Sequence, residues 1–238
     1  MKILDNLNIK IFGDGADMQT IKDLNKKDYI KGFTTNPSLI KKAGVKDYKE
    51  FAVDLLSQIK DKPISFEVFA DDAINMERQA EEIASWGENV YAKIPITNTK
   101  GDSSQKLIKN LNAKGIKCNI TAIFTAEQAK EIIDIVDDKT NLILSIFAGR
   151  IADSGVDPIS IVDECIKISK HKKNIEILWA STREVINIFQ ADKINCHIIT
   201  VPSDILKKFK YLGKDQTQFS QETVIDFYED AKSAGYKI

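Results

Sequence analysis

Val90-Tyr91-Ala92-Lys93-Ile94-Pro95-Ile96-Thr97 is a run of apolar and aromatic residues with one lysine in its middle, closed by a proline and polar residues. A short apolar run bounded in this way reads as a strand buried in a core. A helical pattern over Ser104 to Ala113 follows it, and the same strand-then-helix unit recurs in both directions along the chain. Toward the N-terminus, Ile64 to Phe69 precedes a helix from Ala73 to Trp86, and Gly32 to Pro37 precedes a helical pattern from Tyr48 to Ile59. Further back, Ile9 to Asp14 ends in a Gly-Asp-Gly turn before a helix from Met18 to Leu24. Toward the C-terminus, Cys118 to Phe124 leads to a helix from Ala126 to Val136, opened by Thr125-Ala126-Glu127-Gln128, the pattern of a capping box. Leu142 to Phe147 runs through Ala148-Gly149-Arg150 into a long loop with Gly155 and Pro158, then a helix to about Ser169. Glu176 to Ser181 with Glu184 to Phe189, and His197 to Pro202 with Asp204 to Phe209, complete eight units.

The strand ends fall near residues 14, 36, 67, 93, 121, 145, 181 and 201. Their mean spacing of about 27 residues matches the roughly 250 residues of an eight-unit TIM barrel. An open doubly wound sheet is the alternative, but its phosphate fingerprint is missing. Gly13-Asp14-Gly15-Ala16-Asp17-Met18 has Met18 where GxGxxG needs its third glycine, and GxxxxGK[ST] does not occur. The expected fold is therefore α/β, a single (βα)8 TIM barrel. It is taken as one domain over 1–238, with the barrel at about 9–210 and an additional C-terminal helix at about 220–234. That amphipathic helix either packs across the barrel or swaps onto a neighbouring subunit.

Composition narrows the function. The chain is 43% hydrophobic and 29% charged, with a formal net charge of -1. Its lysines are dispersed rather than gathered into a basic arm, so no nucleic acid partner is expected. Met1-Lys2-Ile3-Leu4-Asp5 opens no signal-peptide run, and no apolar stretch approaches the length of a membrane span. A cytoplasmic protein with no membrane partner is the expectation. Cys118, Cys165 and Cys196 are odd in number and far apart, which suits buried thiols rather than a disulfide framework or CxxC site. With only His171 and His197 present, neither a zinc cluster nor a histidine-based triad is supported, and a carboxylate is the expected general base.

Lys93 has two readings. Taking an ammonium out of water costs several kcal/mol. Burial and nearby cations relieve that cost by favouring the neutral amine, a nucleophile toward carbonyl carbon. Lys93 is then a candidate Schiff-base lysine; otherwise it snorkels from a strand end. Catalytic groups of such barrels sit at the C-terminal strand ends. Here Asp14, Asn36, Glu67, Lys93, Thr121, Ser145 and Ser181 occupy near-equivalent ends of seven successive strands. Residues two apart share a face, so Asn119 with Thr121, Ser145 with Phe147, and Tyr91 with Lys93 should point inward. The inward set holds an amine, two carboxylates, amide and hydroxyl groups and an aromatic wall, which suits a polyhydroxylated carbonyl compound. Arg150 and Arg183 leave the same face and, with Ser181, would make a phosphate clamp, because a guanidinium grips phosphate in bidentate fashion. Surface arginines in unrelated ion pairs are the alternative.

Gly32-Phe33-Thr34-Thr35-Asn36-Pro37-Ser38-Leu39-Ile40 resembles the transaldolase signature around its second strand, and Ala92-Lys93-Ile94-Pro95-Ile96-Thr97 resembles that family's Schiff-base lysine motif. Cys118-Asn119-Ile120-Thr121, Ser145-Ile146-Phe147-Ala148-Gly149-Arg150 and Ala180-Ser181-Thr182-Arg183 are similar to further family motifs, in the same order from about Asp14 to Pro202. The resemblance implies a class I aldol transfer with no metal and no other cofactor, acting on phosphorylated sugars of the pentose phosphate type. It implies that Lys93 condenses with a ketose carbonyl and Asp14 takes the proton from the C4 hydroxyl. Glu67, with a water and Thr121, would relay protons. Thr34, Asn36, Asn119, Ser145 and Phe147 would bind the sugar unit, and Arg150, Ser181 and Arg183 its phosphate. Small relatives are often assembled through their C-terminal helix, which implies a homo-oligomer such as a decamer.

Within the superfamily, fructose-6-phosphate aldolases typically carry glutamine where this chain has Glu67 and tyrosine where it has Phe147, so both positions match the transaldolase form. Simple aldol cleavage and a barrel that binds sugar phosphate without turnover are the alternatives. Two departures stand out. Gly13-Asp14-Gly15 differs from the usual residues around the first-strand aspartate, and the bulk of Trp179 before Ala180-Ser181 is positioned to alter substrate length or phosphate placement.

Overall fold

Eight strands pair in parallel in chain order, and the last closes back onto the first. They are β1 (Lys10–Asp14), β2 (Ile30–Thr34), β3 (Ile64–Glu67), β4 (Val90–Pro95), β5 (Cys118–Ile123), β6 (Leu142–Ile146), β7 (Ile175–Trp179) and β8 (Ile198–Pro202). The computed structural model describes residues 3–238; Met1 and Lys2, part of the opening stretch read for a leader, lie outside the described residues. The helices are α1 (Met18–Asn25), α2 (Pro37–Lys42), α3 (Tyr48–Gln58), α4 (Ala73–Ala84), α5 (Gln105–Ala113), α6 (Ala126–Ile135), α7 (Ala148–Asp153), α8 (Pro158–Ser169), α9 (Ile186–Lys193), α10 (Ser203–Leu206) and α11 (Gln216–Ser233). The closed barrel with its extra C-terminal helix is the architecture expected from the sequence.

Local chemistry explains where the helices begin. Asp17, Asp47 and Asp72 each cap the helix that follows by accepting from a backbone N–H three residues on. Such a cap contributes about 1 kcal/mol. Thr125 and Gln128 form the reciprocal capping box of α6. Two short helices differ from the expectation. Asn36 caps α2 and Pro37 stands at its first turn, so a helix begins before Tyr48. The stretch through Ala148-Gly149-Arg150, expected as the entry to a loop, is α7.

Strand alternation separates two apolar layers. Ile11, Phe33, Phe66, Ile94, Leu144 and Trp179 belong to the shell between strands and helices. Phe12, Tyr91, Ile143, Leu178, Ala180 and Ile198 fill the barrel itself, with Phe147 packed on them. Each large aliphatic or phenylalanine side chain among them contributes roughly 1.5–3 kcal/mol on burial. Gly32 makes room for the floor: a Cβ there would lie 2.5 Å from the Phe12 ring.

The helix α11 packs differently. None of its residues is buried, and Val224, Phe227 and Tyr228 are 64%, 69% and 64% exposed. It is tied to the preceding turn by stacked rings of Tyr211 and Phe219, 5.1 Å apart, and by a Lys214–Glu222 ion pair. Among the described residues no helix is long and apolar enough to cross a membrane.

Candidate active site

At the C-terminal ends of the strands the barrel opens into a cavity of about 520 Å³. Of the twelve residues singled out from sequence, Asp14, Thr34, Asn36, Glu67, Lys93, Thr121, Ser145, Phe147, Arg150, Ser181 and Arg183 line it. The remaining one, Asn119, lies one layer below. It is fully buried, donating through Nδ2 to Ser65 Oγ at 3.0 Å and accepting from Ser145 Oγ at 2.6 Å. Ser145 therefore faces the cavity with its orientation fixed from beneath.

Lys93 does not snorkel. It is 6% exposed, its Nζ lies 2.9 Å from Glu67 Oε2, and it donates to the Thr35 carbonyl at 3.2 Å. The apolar floor of Phe12, Tyr91 and Leu178 seals it from below. A buried ion pair depends on both partners, since removing either leaves an uncompensated charge. Proton exchange between the two needs no movement of either backbone. Behind Glu67 stands Tyr48 of α3, whose hydroxyl accepts from Glu67 N–H at 2.8 Å and donates to its carbonyl at 3.3 Å. Thr35 lies within the 32–40 stretch, but it acts through a backbone carbonyl that no residue type announces; Tyr48 carries no motif signal, since a tyrosine opening an amphipathic helix looks like packing.

Asp14 ends β1 beside Lys93. It accepts from Thr34 Oγ1 at 2.8 Å, and the Thr34 hydroxyl in turn meets Thr200 Oγ1, so Thr200 supplies the hydrogen between the two hydroxyls. Asp14 lines the cavity, and its burial pushes the carboxyl above the ordinary carboxylate range. Lys93 and the Thr34 hydrogen bond pull it back down, and Glu67 adds to the rise. A carboxylate with a raised pKa is a better base near neutrality.

The β5 end is bent on purpose. Between the pairs Ile120↔Leu144 and Ile123↔Ile146, two residues of β5 oppose one of β6, a β-bulge. Ala122 takes φ 60° there, a left-handed conformation that costs a non-glycine residue about 1–2 kcal/mol. The bulge leaves Thr121 Oγ1 buried at the cavity wall without a protein partner. Asn36 Oδ1 is taken by the Leu39 N–H at 3.0 Å, which leaves its amide NH2 for the cavity.

The two arginines line the cavity beyond the β6 and β7 ends. Gly149 N–H donates to the Ala180 carbonyl at 3.2 Å, and a Cβ on Gly149 would collide with the Ser181 carbonyl. Ser181 itself adopts φ 63°. Arg150 lies over the Phe147 ring at 5.7 Å, a cation–π distance. Arg183 Nε and Nη2 both engage the Asp153 carboxylate, at 3.2 and 2.5 Å. Trp179 is not part of the wall: alternation turns it outward into the helix-side shell, 1% exposed, while Leu178 and Ala180 face the cavity. Its bulk therefore does not reach substrate.

The family model described as "Transaldolase/Fructose-6-phosphate aldolase" matches residues 11–238. The "Probable transaldolase" of Thermoanaerobacter sp. (strain X514) is 36% identical over 97% of this chain and 100% of its own length. Proteins of the same name from Methanococcus maripaludis (strain C5) and Clostridium acetobutylicum are 36% and 37% identical, each over 84% of this chain and 89% of their own. Among solved structures, a chain of the tryptophan synthase a2b2 complex from Pyrococcus furiosus superimposes with a TM-score of 0.56 at 14% identity, covering 89% of this chain and 93% of that one. KGPDC from Streptococcus mutans gives 0.56 at 14% identity over 85% and 91%. At that identity these structures speak for the barrel fold alone.

Proposed function

The chain belongs to the transaldolase/fructose-6-phosphate aldolase family, and within it we propose that this enzyme transfers a dihydroxyacetone unit through a Schiff base on Lys93. The donor is a ketose phosphate, sedoheptulose 7-phosphate or fructose 6-phosphate. The acceptor is an aldose phosphate, glyceraldehyde 3-phosphate or erythrose 4-phosphate. The observation that carries this reading is the buried Lys93–Glu67 pair at 2.9 Å, on a sealed floor and beside Asp14.

Lys93 passes a proton to Glu67, and the free amine attacks the ketose C2 carbonyl. Loss of water from the carbinolamine, relayed through Glu67 and Thr121, leaves an iminium. Asp14 removes the C4 hydroxyl proton, the C3–C4 bond breaks, and its electron pair moves into the iminium. An aldehyde leaves and the three-carbon enamine stays on Lys93. Addition to the acceptor aldehyde runs the same steps in reverse, with Asp14 returning the proton. Thr34, Asn36 and Ser145 bind the hydroxyls of the held unit, with Asn119 behind Ser145. Arg150, Arg183 and Ser181 bind the phosphate.

The apolar Phe147 favours transfer over cleavage, because it cannot donate a proton or orient water as a phenol would, so the three-carbon unit waits for an acceptor. We place the enzyme in the cytoplasm, consistent with three buried, unpaired cysteines. We read its state as a homo-oligomer in which the exposed apolar side of α11 meets another copy. Borohydride trapping with fructose 6-phosphate, followed by peptide mass, tests the mechanism on wild type and Lys93→Ala. A three-carbon adduct on Lys93 that disappears when erythrose 4-phosphate is added supports transfer. No adduct on folded protein removes the lysine mechanism and leaves a sugar-phosphate-binding barrel. An adduct unaffected by acceptor, with free dihydroxyacetone accumulating, assigns simple cleavage.

A further inference from the structure

The seam between β2 and β3 opens just where the catalytic pair sits. The strands pair only through Phe33↔Ile64 and Thr34↔Ser65. Along β3, the backbone groups of alternate residues face opposite neighbours. Ile64 and Val68 donate to β4-side carbonyls, of Asn89 and Lys93, whereas Pro63 and Ser65 accept from Phe33 and Thr35 on the β2 side. Glu67 therefore turns its N–H and C=O toward β2. But β2 has ended at Thr34, and Asn36 already caps α2. In a continued parallel ladder, the Glu67 N–H would reach the Thr35 carbonyl. That carbonyl instead accepts from Lys93 Nζ.

The hydroxyl of Tyr48 takes the place of the missing strand. It accepts from Glu67 N–H at 2.8 Å and donates to Glu67 C=O at 3.3 Å, so one phenol satisfies both backbone groups. Its ring is held by Phe66, Phe69 and Trp86 at centroid distances of 6.0, 4.5 and 5.8 Å. Burial keeps the phenol well above its ordinary pKa, so it stays the neutral O–H that can both donate and accept.

We propose that Tyr48 is a positioning residue for catalysis: by replacing the absent strand at Glu67 it fixes that carboxylate against Lys93 and leaves the Thr35 carbonyl free to hold the amine. The proposal rests on the Schiff-base reading of Lys93 for its catalytic consequence. Without the hydroxyl, the Glu67 N–H is left to seek Thr35, and both supports of the lysine shift together.

The test compares wild type with Tyr48→Phe, which keeps the ring, and with Phe69→Leu, which loosens the ring's packing but keeps the hydroxyl. Tyr48→Phe should lower kcat by roughly 10- to 50-fold, as misplacing a catalytic group by part of an ångström does. KM should stay within about twofold, because ground-state binding is untouched. Its kcat–pH profile should shift, whereas Phe69→Leu should lose stability and keep the wild-type profile. In a Glu67→Gln background the further loss from Tyr48→Phe should shrink to less than about threefold, the signature of two residues acting through one another. Hydrogen exchange of the Glu67 amide should accelerate in Tyr48→Phe alone. A Tyr48→Phe enzyme with wild-type kcat and pH profile, an additive loss on Glu67→Gln, or unchanged amide exchange would overturn the proposal. If wild type forms no imine, the Schiff-base reading fails instead, and amide exchange still decides whether Tyr48 holds Glu67.

Discussion

The carbonyl oxygen of Ser181 fills the space that a side chain on Gly149 would need. The N-terminal turn of α7 thus rests on the end of β7 backbone to backbone, and Arg150 and Arg183 are carried by the two sides of that contact. Gly149→Ala must push them apart. We expect a stability loss on the order of 2 kcal/mol and a roughly tenfold rise in KM for a phosphorylated ketose, read by thermal melting and steady-state kinetics. An unchanged KM would show that this contact does not set the spacing of the arginines.

Arg183 is held by Asp153 in an ion pair. Replacing Arg183 with Ala should weaken fructose 6-phosphate by roughly tenfold, since an arginine–phosphate pair is charge-assisted, though this guanidinium is half exposed and shared with Asp153. Unphosphorylated dihydroxyacetone should be nearly unaffected. Competing inhibition constants for the two compounds check this, and equal losses on both would remove the clamp.

Asp14 sits where a charged carboxylate is disfavoured. Its folded-state pKa lies above the ordinary value of 3.8, chiefly through burial. The native state therefore favours the protonated form, and its stabilising contribution is present in acid and lost as pH rises through the folded pKa. Asp14→Asn, permanently neutral, should gain about 1 kcal/mol at pH 7 while transfer activity falls by several orders of magnitude. The gain should vanish below about pH 3, where the wild-type carboxyl is protonated in both states. Urea denaturation at the two pH values measures it; a destabilised Asn variant at pH 7 would contradict the burial argument.

At the opposite end of the barrel, His197 accepts the Ile177 N–H through Nδ1, and burial holds its pKa below the ordinary 6.5. The folded histidine stays neutral while the unfolded one binds a proton. Stability should therefore fall as pH drops below about 6.5. His197→Gln should flatten that slope between pH 7.5 and pH 5.5 in chemical denaturation. A slope that survives the substitution assigns the acid sensitivity elsewhere.

Much of this was legible in sequence because each strand–helix unit repeats one grammar: an apolar run, a polar end residue, a cap. Lys93, Glu67 and Asp14 stood out as polar groups at the ends of runs that otherwise bury. Bulk beside a motif says nothing of the face it takes: one-residue alternation sends Trp179 outward, between Leu178 and Ala180, which face in. The helix α7 escaped because six residues with a glycine inside them carry too little periodicity to register. Tyr48 was invisible for a deeper reason. Its role depends on where β2 stops relative to β3, a relation between backbones that no local pattern encodes.

The helix α11 spans 18 residues and keeps its apolar side chains open to water. In the proposed assembly another copy covers them, and folding then becomes linked to association. The chain's stability is no longer a constant of the molecule but a function of how much of it is dissolved. Mass action adds about 0.4 kcal/mol for each doubling of concentration once copies bind. A dilute sample should melt earlier than a concentrated one, and the last helix should be the first part to loosen.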